Sequence, residues 1–203
     1  TDSSGNGYNG EAIGDPTYVS GVRAQAIELD GVDDFVRIPD QDALNPGDGN
    51  YSWTFWVRLD PTPSASGSAT WDLAVNKRET GSNGMYIGAN RGQGNDSQAG
   101  FKFMLGDTSG SRVDTGYGLV PLDEWVFVAA VLDRDQNVHK VSVDGGYTWS
   151  TATPPAGPIA PAQDLGLGFD IGPNNFWLHG AMDEVRLYKA ALSEAEIAWL
   201  AAN

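Results

Sequence analysis

Apolar and polar residues alternate with a period of two over short runs, and clusters of Gly, Pro, Ser, Asn and Asp separate the runs. That is the pattern of half-buried antiparallel strands. It predicts strands at Ala26–Leu29, Phe35–Ile38, Tyr51–Leu59, Trp71–Asn76, Met85–Ala89, Gly100–Leu105, Ser111–Thr115, Glu124–Leu132, Val138–Val143, Thr148–Ser150, Gly166–Ile171 and Met182–Tyr188. So many short strands suit an all-β fold, an antiparallel two-sheet β-sandwich. One short helix is predicted at the C-terminus. Ser193 followed three residues later by Glu196 makes a capping-box pattern there, and Ile197, Trp199 and Leu200 supply an apolar side to pack on the sandwich.

Two stretches, Pro61–Thr70 and Thr151–Asp164, are rich in Pro, Ser, Ala and Thr. They read as loops inside one domain spanning 1–203, because the strand-rich pieces they separate are too small to fold alone. Composition narrows the function. With 12 basic and 27 acidic side chains the net charge is −15, which opposes nucleic acid and anionic membrane surfaces. The absence of Cys excludes disulfides and thiolate metal sites, and is compatible with an extracellular bacterial protein. No apolar run approaches the roughly 18 residues of a membrane span, so membrane insertion is not expected. Thr1–Gly5 has neither the basic nor the apolar region of a signal peptide.

Three blocks resemble the laminin-G-like, concanavalin A-like jelly-roll domains of secreted bacterial carbohydrate-active enzymes and adhesins. The first is Asp2–Gly10 followed by Ala26–Val36. The second is Ser52–Arg58, with Glu124–Ala129 later in the chain. The third is Gly180–Tyr188 followed by Ala191–Ile197, which is similar to the family's closing strand and helix. The resemblance covers the whole chain and implies a jelly roll. It leaves function open, because the architecture hosts lectins, sugar-binding modules, hydrolases, lyases and protein-binding domains.

Catalysis is not expected. A retaining glycosidase needs two carboxylates roughly 5 Å apart, which related glucanases place on one strand as Glu-x-Asp-x-x-Glu. That string does not occur, and the adjacent pairs Asp33–Asp34, Asp123–Glu124 and Asp183–Glu184 would point to opposite faces. Asp133 and Asp135 alternate suitably but lie in a turn-like run. His139 and His179 lack a Gln-x-His context and read as surface or satisfied residues rather than lyase bases. Ser142–Trp149 fits the Asp-box pattern of sialidase propellers, where it builds a hairpin; occurring once, it reads as a turn.

An acidic, Gly-rich, Cys-free chain suits Ca²⁺, which takes six to eight hard oxygen ligands. The resemblance implies a structural calcium where the N-terminal segment crosses the final strand. Its ligands would be Asp183, with Asp2, Asn6 and Asp30 as partners. The alternatives are that Asp2 and Asn6 only form turns, and that Asp183 pairs with Arg23 or Arg186.

Sugar recognition combines aromatic faces with planar amide, carboxylate or Arg groups that fork hydroxyls. Alternation assigns Trp53, Phe55 and Val57 to the core. Trp125 and Phe35 read as core, and Trp199 as helix interface. Trp56 reads equally as packing or ligand contact. The residues left over are Trp71, Arg78, Tyr86, Arg91, Asn174, Asn175 and Trp177, which the resemblance places in variable segments near the ligand-binding rim. Lys77, Arg78 and Arg91 together would favour a carboxylated or sulfated glycan. Alternatively, Trp71 and Trp177 cap the sandwich ends. The expected role is therefore a non-catalytic, monomeric carbohydrate-binding module of a larger secreted or surface bacterial protein, with polysaccharide as partner. An adhesion domain, or a lyase or hydrolase with an unfamiliar site, are the alternatives.

Overall fold

The computed structural model describes residues 1–64, 71–79, 83–91, 98–106, 111–115, 119–171 and 176–203. Asn174 and Asn175 lie outside them. The strands are β1 (Glu11–Ile13), β2 (Thr17–Ser20), β3 (Gln25–Asp30), β4 (Phe35–Ile38), β5 (Tyr51–Leu59), β6 (Trp71–Arg78), β7 (Gly84–Asn90), β8 (Gln98–Leu105), β9 (Ser111–Asp114), β10 (Val120–Pro121), β11 (Val126–Asp133), β12 (Val138–Ser142), β13 (Ser150–Ala152), β14 (Leu165–Leu167) and β15 (His179–Tyr188). Helix α1 (Glu194–Ala202) follows.

All pairings are antiparallel, in two sheets. The larger runs β1-β4-β14-β6-β7-β8-β10, with β9 also on β8; the smaller runs β13-β12-β11-β5-β15-β3-β2. Alternation in β5 turns Tyr51, Trp53, Phe55, Val57 and Leu59 inward against Met85 and Ile87 of β7 and Phe101, Phe103 and Leu105 of β8. Phe55 meets Phe101 with ring centroids 6.1 Å apart. Burying each such side chain contributes about 1.5–3 kcal/mol.

The outer face of the smaller sheet is covered by α1. Ile197 and Leu200 pack there on Phe127, Ala129 and Val131, with Trp56 edge-on to Phe127 at 5.3 Å. Trp56 is thus a packing residue. The capping box forms in both directions: Glu196 N–H donates to Ser193 Oγ (3.3 Å), and Ser193 N–H to Glu196 Oε2 (2.8 Å). Trp199, expected at this interface, is instead 62% exposed. Positions 197, 200 and 201 share one helical face, and 199 projects from the other.

Other departures have local causes. β1 and β2 are short, polar edge strands with no apolar alternation to betray them. The strand expected from Gly166 to Ile171 ends at Leu167, because Gly168 turns the chain at φ +85 and a Cβ there would lie 2.2 Å from Leu29 Cδ1. The strand expected at Thr148–Ser150 shifts to Ser150–Ala152, because the Asp-box turn uses the preceding residues. Asp144 Oδ1 accepts from the N–H groups of Tyr147 and Thr148, both at 3.0 Å, and from Ser142 Oγ at 2.7 Å. Trp149 Nε1 closes the hairpin onto Gly146 O at 3.0 Å. Although burial opposes it, hydrogen bonds from Thr148, Ser142 and Tyr147 hold the Asp144 carboxyl below its ordinary range.

Two buried cations organise the sandwich, Arg91 across the two sheets and Lys77 within the larger one. Arg91 is bonded through Nε to Asp72 of β6, and donates through Nη1 to Asp60 O (2.6 Å) at the end of β5. Asp72 also accepts from His179 N–H of β15 at 3.0 Å, so this pair latches the two sheets. Lys77, with 0% of its side chain exposed, reaches Asp40 and the carbonyls of Pro161 (3.1 Å) and Gln163 (2.6 Å). Among the described residues no helix is long and apolar enough to cross a membrane.

Candidate functional site

With α1 on the smaller sheet, the outer face of the larger sheet is the broad sheet surface that no described helix covers. In β7 and β8, Met85, Ile87, Phe101 and Phe103 point inward, so Tyr86, Lys102 and Met104 point out. β6 carries an irregularity between Leu73 and Val75, which brings Trp71 opposite Asn90 and Asn76 opposite Tyr86 on the same outer face. Across β8, Lys102 faces Asp114 and Met104 faces Arg112 of β9.

These residues form one connected surface. The half-buried Trp71 meets Tyr86 edge-on at 6.4 Å and Phe176 at 6.4 Å. The Lys102 ammonium lies 4.2 Å from the Trp71 ring centroid and 3.2 Å from Asp114 Oδ1. Burial lowers the Lys102 pKa while Asp114 opposes the shift. Arg78 lies 5.0 Å from the Tyr86 ring centroid and pairs with buried Asp170 at 2.8 Å. Asp170 also accepts from Asn76 Nδ2 at 2.7 Å. Burial pushes the Tyr86 hydroxyl pKa up, against the pull of Arg78. The result is two aromatic rings flanked by fixed cationic and amide groups. A pyranose or furanose ring has an apolar face for the aromatics and hydroxyls for such polar groups.

The structure brings Trp71, Arg78 and Tyr86 together, and separates Arg91 and Trp177 from them. Arg91 is 3% exposed, its guanidinium committed to the sheet latch, and Lys77 is equally interior. Trp177 stacks on Phe169 at 3.9 Å and meets Phe35 at 5.7 Å, which makes it a cap at one end of the sandwich. Phe35 belongs to this outer cluster rather than to the core, because Val36 and Ile38 are the inward residues of β4. Trp125, also expected in the core, is half-buried with Arg58 at 5.6 Å from its ring. Sequence reasoning missed Lys102, Arg112 and Asp114. Each is an ordinary polar residue in an alternating strand, and only register across β6 to β9 gathers them.

The four expected calcium ligands do not converge. Asp2 accepts from Ser4 N–H (2.9 Å), Ser4 Oγ (2.8 Å) and Tyr8 N–H (3.0 Å), and Asn6 Nδ2 donates to Ser4 Oγ (2.9 Å). The Ser4 N–H comes first among the bonds that lower the Asp2 pKa. Asp183 accepts at 2.8 Å from both Arg23 N–H and Glu184 N–H beside a bulge in β15. Arg186 pairs with Glu184 instead. Asp30 alone sits among further acids: it, Asp33 and Asp34 place carboxylate oxygens within 4.8 Å of one another, in a cavity also bordered by Asp15 and Asp60. Burial, then the Asp30 charge, push the Asp34 pKa up.

Neither histidine lies on the Trp71–Tyr86 face, and His179 borders the acidic cavity. His139 is a core residue against Phe103 (5.5 Å, edge-on), its pKa lowered by burial to about 4. His179 Nδ1 bonds Thr62 O at 2.8 Å.

Solved structures support the fold. The binding domain of Paraclostridial Mosquitocidal Protein 1 aligns with TM-score 0.74 at 16% identity, over 98% of this chain and 48% of that one. Domain 4 of AbnA, an extracellular arabinanase of Geobacillus stearothermophilus solved in complex with arabinotriose, aligns with TM-score 0.68 at 21% identity, over 98% of this chain and 91% of that one. The botulinum neurotoxin serotype D binding domain aligns with TM-score 0.69 at 14% identity, over 96% of this chain and 46% of that one. The chain thus spans about half the length of the two toxin domains and nearly all of the arabinanase domain. A comparison with curated proteins finds no match. The family profile described as the Concanavalin A-like lectin/glucanases superfamily matches residues 30–198, and the chain belongs to that superfamily.

Proposed function

We propose that this chain is a non-catalytic carbohydrate-binding module of a larger secreted or surface protein, and that it holds glycan on the outer face of its larger sheet. The observation that carries the reading is the half-buried pair Trp71 and Tyr86 on the outer face of the larger sheet, with Arg78 and the buried Lys102 beside the rings. The arabinanase domain solved with arabinotriose gives the reading a chemical parallel. The interior His139 and the carbonyl-bound His179 fit a site that binds without proton transfer.

Affinity electrophoresis through gels containing arabinan or uronate-bearing polysaccharides tests this. Retardation by at least one polysaccharide is expected, with Trp71→Ala and Tyr86→Ala each weakening it about tenfold, the equivalent of about 1.4 kcal/mol. Retardation by none, or retardation that both variants leave unchanged, contradicts it.

A structural calcium belongs to the same proposal. Its donors would be Asp30, Asp33 and Asp34, three hard oxygen ligands that no described cation neutralises. A native-state ligand raises apparent stability, so Ca²⁺ should raise the melting temperature and a chelator reverse it. An unchanged melt rules the ion out.

A further inference from the structure

A second surface lies at the open edge of the sandwich, away from Trp71 and Tyr86. There β1, β4 and β14 stand opposite β2, β3 and β15, and a cleft of about 730 Å³ enters between the sheets. Its walls are core-type side chains, including Ile27, Val36, Leu167, Val185 and Leu187, which pack on the main core yet stay partly exposed. Their inward register would ordinarily bury them, so the chain leaves apolar surface uncovered at this edge.

Polar groups accompany that surface. Trp53 lines the cleft and is 3% exposed, its indole N–H engaging the hydroxyl of buried Tyr51. Lys189 lines the same cleft, where its ammonium donates to Asn45 O and lies 5.2 Å from the Tyr51 ring centroid. No described carboxylate pairs with it, although an ammonium offers three donors. The Asn45 Oδ1 beside it is buried without a donor. Such groups cost free energy unless something satisfies them. The other charges at the cleft are already engaged: Arg186 with Glu184, and Asp2 within its own turn.

We propose that this cleft is a second ligand site, for a small amphiphile whose aliphatic body lies between the sheets and whose carboxylate meets Lys189. The volume falls in the range of about 300–1,000 Å³ typical of small-molecule sites, and apolar walls combine there with polar groups of the N-terminal turn, Arg186 and Lys189. Saccharide is the wrong occupant here, because aliphatic walls would strip its hydroxyls of hydrogen bonds. Charge complementarity selects the anionic head, since Lys189 is the charged side chain of the cleft that no described carboxylate pairs with.

The test is displacement of 8-anilinonaphthalene-1-sulfonate from the purified chain by decanoate and by decanol, followed by fluorescence. Saturable one-to-one binding is expected. Lys189→Met should weaken decanoate about tenfold, the scale of one charge-assisted hydrogen bond, and leave decanol unchanged. Val185→Trp should fill the cleft and abolish binding of both, while polysaccharide retardation and the melting temperature stay as in the wild type. Absence of saturable binding overturns the proposal, as does a Lys189→Met variant that binds decanoate as the wild type does or loses decanol equally. Because the glycan face is read separately, its failure and that of the cleft are distinguishable.

Discussion

Replacing Arg91 by Met tests the cross-sheet latch. In the wild type Arg91 neutralises Asp72, which has no exposure, and bonds backbone carbonyls of Asp60 and His179 on the opposite sheet. The variant keeps the side-chain volume but leaves a buried carboxylate with His179 N–H as its remaining donor. Breaking a buried pair in this way costs about 3–5 kcal/mol. For a chain of this size each kcal/mol moves the melting temperature by roughly 2–4 °C, so a drop of about 6–20 °C is expected.

The loss carries a pH signature. Burial pushes the Asp72 pKa up while Arg91 and then His179 pull it back. The net shift is already upward, and losing Arg91 removes its largest counterweight, so the folded variant holds a proton that the unfolded chain has released. Stability of such a group is present below the unfolded carboxylate range and is lost as pH rises through the raised folded value. Urea denaturation at pH 4 and pH 7 should therefore show a larger deficit at pH 7, and Asp72→Leu added to Arg91→Met should recover stability. A deficit below about 1 kcal/mol, or one independent of pH, would refute the latch as a stabilising element.

Other predictions follow from single residues. His139, neutral in the core with its pKa lowered from 6.5 to about 4, binds fewer protons folded than unfolded in that window. Stability should therefore fall as pH drops from 6.5 towards 4, and His139→Leu should flatten that part of the denaturation profile; equal slopes contradict it. Gly180 has φ +149, and a Cβ there would lie 2.1 Å from Arg58 O, so Gly180→Ala should cost about 1–3 kcal/mol; an unchanged melt contradicts the close approach of β15 to β5. Ser193→Ala removes the helix cap and should cost about 1 kcal/mol, seen as faster amide exchange in α1; unchanged exchange counts against the cap.

The sandwich was legible because alternation is a local property. β5, β7 and β8 carry it without interruption, and each forms where the period predicts. β1 and β2 were not legible, since edge strands of Glu-Ala-Ile and Thr-Tyr-Val-Ser depend on their partners rather than on an apolar face. The candidate site was half legible. Trp71, Arg78 and Tyr86 stand out as aromatics and a base not needed by the core. Arg91 looks identical to Arg78 in sequence, and only the fold shows that one lies over Tyr86 while the other is buried on Asp72. Lys102 shows the converse: it becomes notable when strand register sets it over Trp71. The acids were similarly ambiguous, because Asp2 and Asp183 satisfy backbone N–H groups in turns while Asp30, Asp33 and Asp34 crowd together.

The most direct measurement of the central claim is a backbone and indole amide chemical-shift map, recorded while an oligosaccharide of the retained polysaccharide is titrated into the labelled chain. The account predicts saturating shifts centred on Trp71 Nε1, Tyr86 and Lys102, with α1 and the Asp144 hairpin unmoved. Shifts centred on α1 or the hairpin, with the Trp71–Tyr86 face silent, would contradict it.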